Sequence, residues 1–297
     1  MGTAALDQVT GDEHAELCLQ LARTAVTAGR WKQARRLVER AGRPADPLSA
    51  TLLAEAWFGE GDVERAGQLA RVAVDGADAA GQPATLCAAL VIAGRCASRT
   101  SAAAAVVELA WAAQCAAEHG LVPWRVEALF GIGLCELTEG LPMDSLREAR
   151  EVALDAGLFA QVLSIDVILS ELAMTCDGPV AAEPAARRTL EQAVALGLLG
   201  LAGMCQLTIA AARGVAGDTD GMSQALATAA AYPDAPLESI WLASAVRALP
   251  YLLDHDLARA NALVDEGMSR LMRHGAAAPV TYWGAVGPPA NDRVRPR

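Results

Sequence analysis

The stretch GRWKQA, from Gly29 to Ala34, returns as GDVERA from Gly61 to Ala66. In both copies a glycine turn opens an amphipathic helix, and the two closing alanines lie 32 residues apart. That spacing is close to the roughly 34-residue period of tetratricopeptide repeats, in which a small residue follows a glycine-containing turn. Because small side chains let two antiparallel helices approach closely, the two stretches predict stacked helical hairpins.

The pattern continues on both sides of these copies. Trp57 precedes the second turn by four residues, and Ala41 and Ala73 lie seven residues beyond the two alanines. Weaker periodicity and Gly/Pro turns predict further helix pairs, at 84–98 with 102–119, 124–139 with 143–156, 158–175 with 181–196, 199–215 with 219–231, and 237–253 with 256–273. We therefore predict an all-α fold, a right-handed superhelical solenoid of about seven tetratricopeptide-like antiparallel helix pairs.

The composition agrees with an all-helical chain. Hydrophobic residues make up 53% of the 297 residues but aromatic residues only 4%, and alanine supplies much of the apolar content. Alanine has the highest helix propensity, whereas sheets need alternating runs of β-branched and aromatic residues. The net charge is −11, and Lys32 is the sole lysine. Because a duplex-binding surface needs clustered cations, we expect no direct specific DNA binding by this chain.

Two features bear on the cellular compartment. The seven cysteines include no C-x-x-C pair and mostly lie in apolar helical runs, which predicts reduced core cysteines in a cytoplasmic protein. The uncharged segment 192–212 is long enough to cross a bilayer, but Gly197 and Gly200 interrupt it. We interpret it as two buried helices joined by a turn. The N-terminus shows no secretion signal, and no membrane association is expected.

Several segments resemble the helical-repeat region of a known family. They are residues 28–34 with 59–66, AEHGLVPWR at 117–125, LREARE at 146–151 and ALDAG at 153–157. Together they resemble the C-terminal half of actinobacterial LuxR-type transcriptional regulators of the large ATP-binding, MalT-like class. In that family an N-terminal P-loop ATPase precedes a long tetratricopeptide-like sensor arm, and a LuxR-type helix-turn-helix ends the chain. The resemblance covers about residues 15–275.

This sequence departs from that family at both ends. A P-loop needs G-x-x-x-x-G-K-[ST] so that its lysine reaches the phosphates, whereas Lys32 lies between Trp31 and Gln33. Residues 281–297 are rich in Pro, Gly and Arg, where the family carries its DNA-binding helices. The resemblance therefore implies the sensor arm alone, as a truncated or split regulator or an independent protein, and no cofactor is expected.

These observations predict an organisation and a function. We expect a flexible N-terminus at 1–13, a repeat domain at 14–274, and a disordered Pro/Gly/Arg-rich tail at 275–297. The expected function is that of a non-catalytic regulatory interaction module, resembling the sensor region of a LuxR-family regulator. Its partner is expected to be a protein, a peptide or a small inducer, and self-association is expected as well. The alternatives are a stand-alone adaptor or scaffold unrelated to transcription, and an α-helical enzyme whose site carries no recognisable motif.

Candidate interaction residues follow from the repeat register. In a right-handed repeat superhelix the first helix of each pair lines the concave face, where exposed side chains select the partner. Arg23 and Glu55 share one register position and Arg95 follows one repeat later, so all three are predicted to point there. Ordinary solvated surface charges are the alternative. Core packing, with a ligand groove as the alternative, is predicted for Trp31, Trp57, Trp111, Trp124 and Trp241.

Cys115 and His119 form the best local arrangement for chemistry. They lie at i and i+4 on one helix, a spacing that suits a shared metal ion or an activated thiolate. Only two ligands occur at this spacing, and the other histidines are distant in sequence. We therefore predict a buried cysteine beside a helix-ending histidine, and no catalytic or metal-binding residue.

Overall fold

The computed structural model describes residues 11–140, 142–232 and 238–273, and within them it contains fourteen α-helices and no strand. In chain order the helices are α1 (Asp12–Thr27), α2 (Trp31–Ala41), α3 (Pro47–Gly59), α4 (Val63–Ala79), α5 (Pro83–Ala97), α6 (Ala102–Glu118), α7 (Val122–Thr138), α8 (Asp144–Asp155), α9 (Phe159–Cys176), α10 (Pro179–Ala195), α11 (Leu199–Val215), α12 (Thr219–Ala231), α13 (Glu238–Leu253) and α14 (Leu257–Arg273). The all-α, tetratricopeptide-like solenoid is confirmed. The later helix pairs agree with their predicted bounds to within two residues. The predictions for most of 1–13 and for 275–297 lie outside the described residues.

The helices group into two compact units. The described residues up to Val152 form the N-terminal unit, and those from Ala153 onward form the C-terminal unit. Within the units the first helices of successive pairs contact one another, namely α1 with α3, α3 with α5, α5 with α7, α9 with α11, and α11 with α13. Among the described helices no comparable contact joins two second helices. The first helices therefore line the inner face of each unit, and the second helices line its outer face.

Glycine turns close the helix pairs as the sequence predicted. Gly29 and Gly61 adopt φ values of 66° and 90°, a left-handed conformation that glycine reaches without steric cost. Immediately beyond them, the Arg30 N–H donates to the Ala25 carbonyl at 2.8 Å and the Asp62 N–H donates to the Trp57 carbonyl at 3.0 Å. These bonds satisfy carbonyls that the helix end leaves free, so each turn fixes where its second helix begins.

The repeat anchors lie at the closest approach of the paired helices. Ala34 and Ala66 are fully buried near the start of their second helices, and Ala105, Ala182 and Ala260 take the same place in later pairs. Two repeats carry a larger anchor, Leu146 and Met222, and each faces a glycine on the first helix. A Cβ added to Gly133 would lie 2.4 Å from Leu146 Cγ, and one added to Gly214 would lie 2.8 Å from Met222 Sδ. A larger anchor is therefore accommodated by a smaller partner.

The longest apolar segments are packed into the fold. Residues 192–212 contain the end of α10, a turn at Gly197 and most of α11, as predicted. Among the described residues only α9 is long and apolar enough to cross a membrane by length and composition. This helix carries Asp166 and the buried Glu171, and it packs against α10 and α11.

Candidate functional site

The three predicted interaction residues all lie on first helices of the N-terminal unit. Arg23 is on α1, Glu55 on α3 and Arg95 on α5, and the structure brings Glu55 and Arg95 close enough to interact electrostatically. Arg23 is exposed beside Thr24 and Thr27 in a shallow surface depression. Within the described part of the chain, it forms no ion pair with Glu55 or Arg95.

A fourth residue, Glu127 on α7, belongs to the same group. It interacts electrostatically with both Glu55 and Arg95, so a row of alternating charge crosses α3, α5 and α7. Arg95 and Glu127 are exposed and Glu55 is half-buried. Because these helices meet in the layer of first helices, the row lies on the inner face. Glu127 follows Arg95 by 32 residues, the interval that separates Arg23 from Glu55, and extending that interval once more identifies it from the sequence.

The electrostatics of this row leave its negative charge only partly neutralised. Burial raises the pKa of the Glu55 carboxyl, the Arg95 guanidinium opposes that rise, and the charge of Glu127 adds to it. The pKa of Glu127 is also raised, although its side chain is exposed, because protein surrounds it on several sides; Arg95 again opposes the rise. One guanidinium thus serves two carboxylates, and the row carries one excess negative charge.

An aromatic ring holds the shared cation. The Arg95 guanidinium carbon lies 4.5 Å from the centre of the Phe58 ring on α3, a cation–π distance. Arg95 therefore rests on the neighbouring helix while its side chain remains exposed. Phe58 directly follows Trp57, and the sequence analysis did not single it out.

Trp57 and Trp31 have structural contacts at the edge of this surface. Arg35 and Arg65 stack on the Trp57 ring at 4.0 and 4.1 Å, and Arg35 also pairs with Glu60 at 3.1 Å. Trp31 lies against Gly59, where an added Cβ would meet its ring at 2.3 Å. Trp111 departs from the predicted core packing, because 42% of its side chain is exposed on α6.

The Cys115–His119 pair has the geometry of a helix end. Cys115 is buried, and His119 Nδ1 lies 3.0 Å from the Cys115 carbonyl oxygen, which accepts its hydrogen. The thiol is 3.9 Å from the same nitrogen. Among residues 11–140, 142–232 and 238–273, no group of three or more His, Cys, Asp or Glu side chains is arranged to hold a metal ion.

The C-terminal unit buries a carboxyl group on its first helices. Glu171 on α9 is 4% exposed, its Oε1 has no hydrogen-bond partner, and burial raises its pKa to about 7. Cys205 on α11 lies nearby, and burial followed by the charge of Glu171 raises its pKa to about 12. Neither side chain was predicted, because an acidic residue inside an apolar helical run gives no sign of its depth.

Comparisons with known proteins place this geometry in a structural context. Neither a protein-family description nor a curated protein sequence matches the chain. A Rap protein complexed with competence and sporulation factor matches with a TM-score of 0.65 at 11% identity, over 90% of this chain and 78% of that one. NprR in complex with its cognate peptide NprX matches with a TM-score of 0.59 at 11% identity, over 89% and 82%.

A third structure is a signal transduction ATPase with numerous domains, which carries a tetratricopeptide repeat sensor and comes from Pyrococcus horikoshii. It matches with a TM-score of 0.64 at 12% identity, over 92% of this chain. The chain spans only 46% of the length of that protein. At these identities the likeness establishes the fold alone, a tetratricopeptide-like helical repeat.

Proposed function

We propose that the N-terminal unit is a peptide-recognition module of a regulatory system, and that the inner face of α3, α5 and α7 binds the peptide. The observation that carries this proposal is the row Glu55–Arg95–Glu127, which crosses three neighbouring first helices and is open to solvent at Arg95 and Glu127. A role in solvation alone does not require a cation held on an aromatic ring between two carboxylates with raised pKa values. In repeat proteins, extended surfaces of this kind bind partners.

The charge of the row suggests the chemistry of the peptide. The excess negative charge favours a lysine or arginine side chain, or a free amino terminus, beside Glu127. Arg95 would then donate to a carbonyl or carboxylate of the same peptide. A peptide that supplies both groups would be held across α5 and α7.

The fold comparisons support a peptide partner over a small inducer. The Rap protein was solved with competence and sporulation factor, and NprR with the peptide NprX. The archaeal ATPase carries its repeats as a sensor. By analogy, the chain would report the presence of a peptide to another polypeptide and would not catalyse a reaction itself. We place this activity in the cytoplasm.

Selection from a displayed library of random peptides, followed by calorimetric titration, tests the proposal. Glu127→Gln and Arg95→Gln should each weaken binding of a selected peptide by at least about tenfold, because each removes a charge-assisted hydrogen bond. Glu151→Gln on α8 and Arg36→Gln on α2 are matched controls, since both are exposed on second helices. If no peptide is selected, or if the inner-face variants bind as well as the controls, the proposal is wrong.

We propose further that this module acts in transcriptional control through another protein, as the LuxR-type resemblance implies. The net charge of −11 opposes contact with DNA phosphates, so the chain alone should give no sequence-specific gel shift at about physiological salt. The rival function is an adaptor unrelated to transcription. A promoter reporter that responds to the selected peptide only when this chain is present would favour the regulator, and an unresponsive reporter would favour the adaptor.

A further inference from the structure

The outer surface of α6 differs from that of the other second helices of the N-terminal unit. Val107 is 69% exposed and Trp111 is 42% exposed, and the two lie one helical turn apart on the same face. From Ala103 to Gln114 no exposed position carries a charge; these positions are Ala103, Ala104, Val107, Ala110, Trp111 and Gln114. We call these six residues the α6 stripe.

Exposed apolar residues elsewhere are isolated among charges. On α4, Val72 is 62% exposed but lies beside Arg71, and Asp75 follows on the same face. The exposed surface of α8 includes Arg147, Glu148 and Glu151. Single exposed valines among charged residues are ordinary on protein surfaces, whereas three helical turns of uncharged outer surface around a tryptophan mark an interaction site.

Charge restricts what can occupy the α6 stripe if the partner is a second copy. Each chain carries a net charge of −11, so two copies repel one another wherever acidic surfaces meet. The α6 stripe lets the copies approach without placing like charges in contact. The stripe is also self-complementary, because the large indole of Trp111 lies one turn from the small side chains of Ala103, Ala104 and Val107.

The direction of pairing follows from the end of the helix. In an antiparallel pair centred between Val107 and Trp111, each tryptophan packs on Val107 and Ala104 of the second copy. Glu118, at the C-terminal end of α6, then lies at the N-terminus of the partner helix, where the helix dipole favours a negative charge. A parallel pair would place the two Glu118 side chains together.

We infer that the α6 stripe is a homodimer interface, in which two copies pair their α6 helices antiparallel about a twofold axis. The contact is isologous and therefore closes at two copies. Two helix faces of this size bury less than about 1,200 Å², the range of weak and transient complexes. The expected species is thus a monomer–dimer equilibrium with a dissociation constant in the micromolar range or weaker. This inference is independent of the peptide site, which lies on the opposite helix layer.

Sedimentation velocity over about two orders of magnitude in concentration, centred on the micromolar range, tests the interface. The native chain should shift from monomer toward dimer as concentration rises. Val107→Glu and Trp111→Glu should each weaken dimerisation by at least about tenfold, because they bury an unpaired charge against a second copy. Val72→Glu, on the neighbouring second helix, should dimerise as the native chain does. Circular dichroism melting confirms that each exposed-site variant is folded.

Mixing two variants tests the antiparallel geometry. Val107→Glu and Trp111→Lys should each be impaired alone. Mixed together they should form a heterodimer, because position 107 of one copy faces position 111 of the other and the new charges are opposite. A native chain that stays monomeric throughout, or a dimer that persists in both glutamate variants, overturns the interface. Impaired variants that do not rescue one another overturn the antiparallel pairing.

Discussion

Glu55 and Glu171 occupy the same repeat position in different units, each 11 residues before a fully buried anchor alanine, Ala66 or Ala182. In the N-terminal unit, Glu55 is half-buried and the next first helix supplies Arg95 against it. In the C-terminal unit, Glu171 is buried and the next first helix supplies the thiol of Cys205. The same residue type in the same register is therefore part of an open charged surface in one unit and a costly buried group in the other. The neighbouring helix decides which.

The largest expected effect comes from removing the buried carboxyl. Its pKa of about 7, against an ordinary 4.5, implies a desolvation cost of up to about 3 kcal/mol at pH 8. Glu171→Leu should therefore stabilise the C-terminal unit by about that amount, measured by native-state hydrogen exchange of α9 and α11 amides. Glu55→Leu is the matched control. It should not stabilise the N-terminal unit, because it leaves Arg95 without its partner.

The pH dependence of stability should follow the same difference. Because the pKa of Glu171 is higher in the folded state than in the unfolded state, the folded chain binds more protons between about pH 4.5 and 7. Stability from this group is therefore present at low pH and lost as the pH rises through about 7. Between pH 5 and pH 8 the native chain should lose about 2 kcal/mol relative to Glu171→Gln. Parallel exchange profiles of the two proteins across this range would show that the buried carboxyl is not responsible.

The anchors test whether the two units share one scaffold beneath this difference. Ala66→Leu and Ala182→Leu should each overpack a helix pair and cost about 2 kcal/mol, because both alanines are fully buried. Thermal melting should show a similar loss for both variants. An Ala227→Leu control, on the exposed surface of α12, should melt as the native chain does. If one anchor tolerates leucine and the other does not, the repeat registers of the two units differ.

Helix positions could be predicted because their signals are local. Glycine turns with positive φ and cap residues such as Asp62, whose carboxylate accepts from the Arg65 N–H at 3.0 Å, mark helix ends within a few residues of sequence. The anchors were predicted only where they are alanines. Leu146 and Met222 were missed because their compensation, Gly133 and Gly214, lies on the other helix of the pair.

The candidate site was less predictable because it depends on how neighbouring helices are rotated. The α5–α6 connection has four residues, against three between α1 and α2, which changes the register by which Arg95 follows Glu55. Neither that shift nor the stacking of Arg95 on Phe58 can be read from spacing alone. The exposure of Trp111 was also hidden, since an apolar stripe has the same periodicity whether it packs into a core or faces solvent.

The smallest effect on stability, and the sharpest test of the charged row, comes from Arg95→Gln. Arg95 is exposed and its pairs are screened by solvent, so the variant should lose less than about 1 kcal/mol. The pKa values of both Glu55 and Glu127 should nevertheless rise, because the same guanidinium lowers each of them. Carboxyl titration by nuclear magnetic resonance measures both. Arg71→Gln on α4 is the control, and it should leave both values unchanged. If neither carboxyl responds to the loss of Arg95, the three residues do not act as one surface, and peptide recognition by this row would have no electrostatic basis.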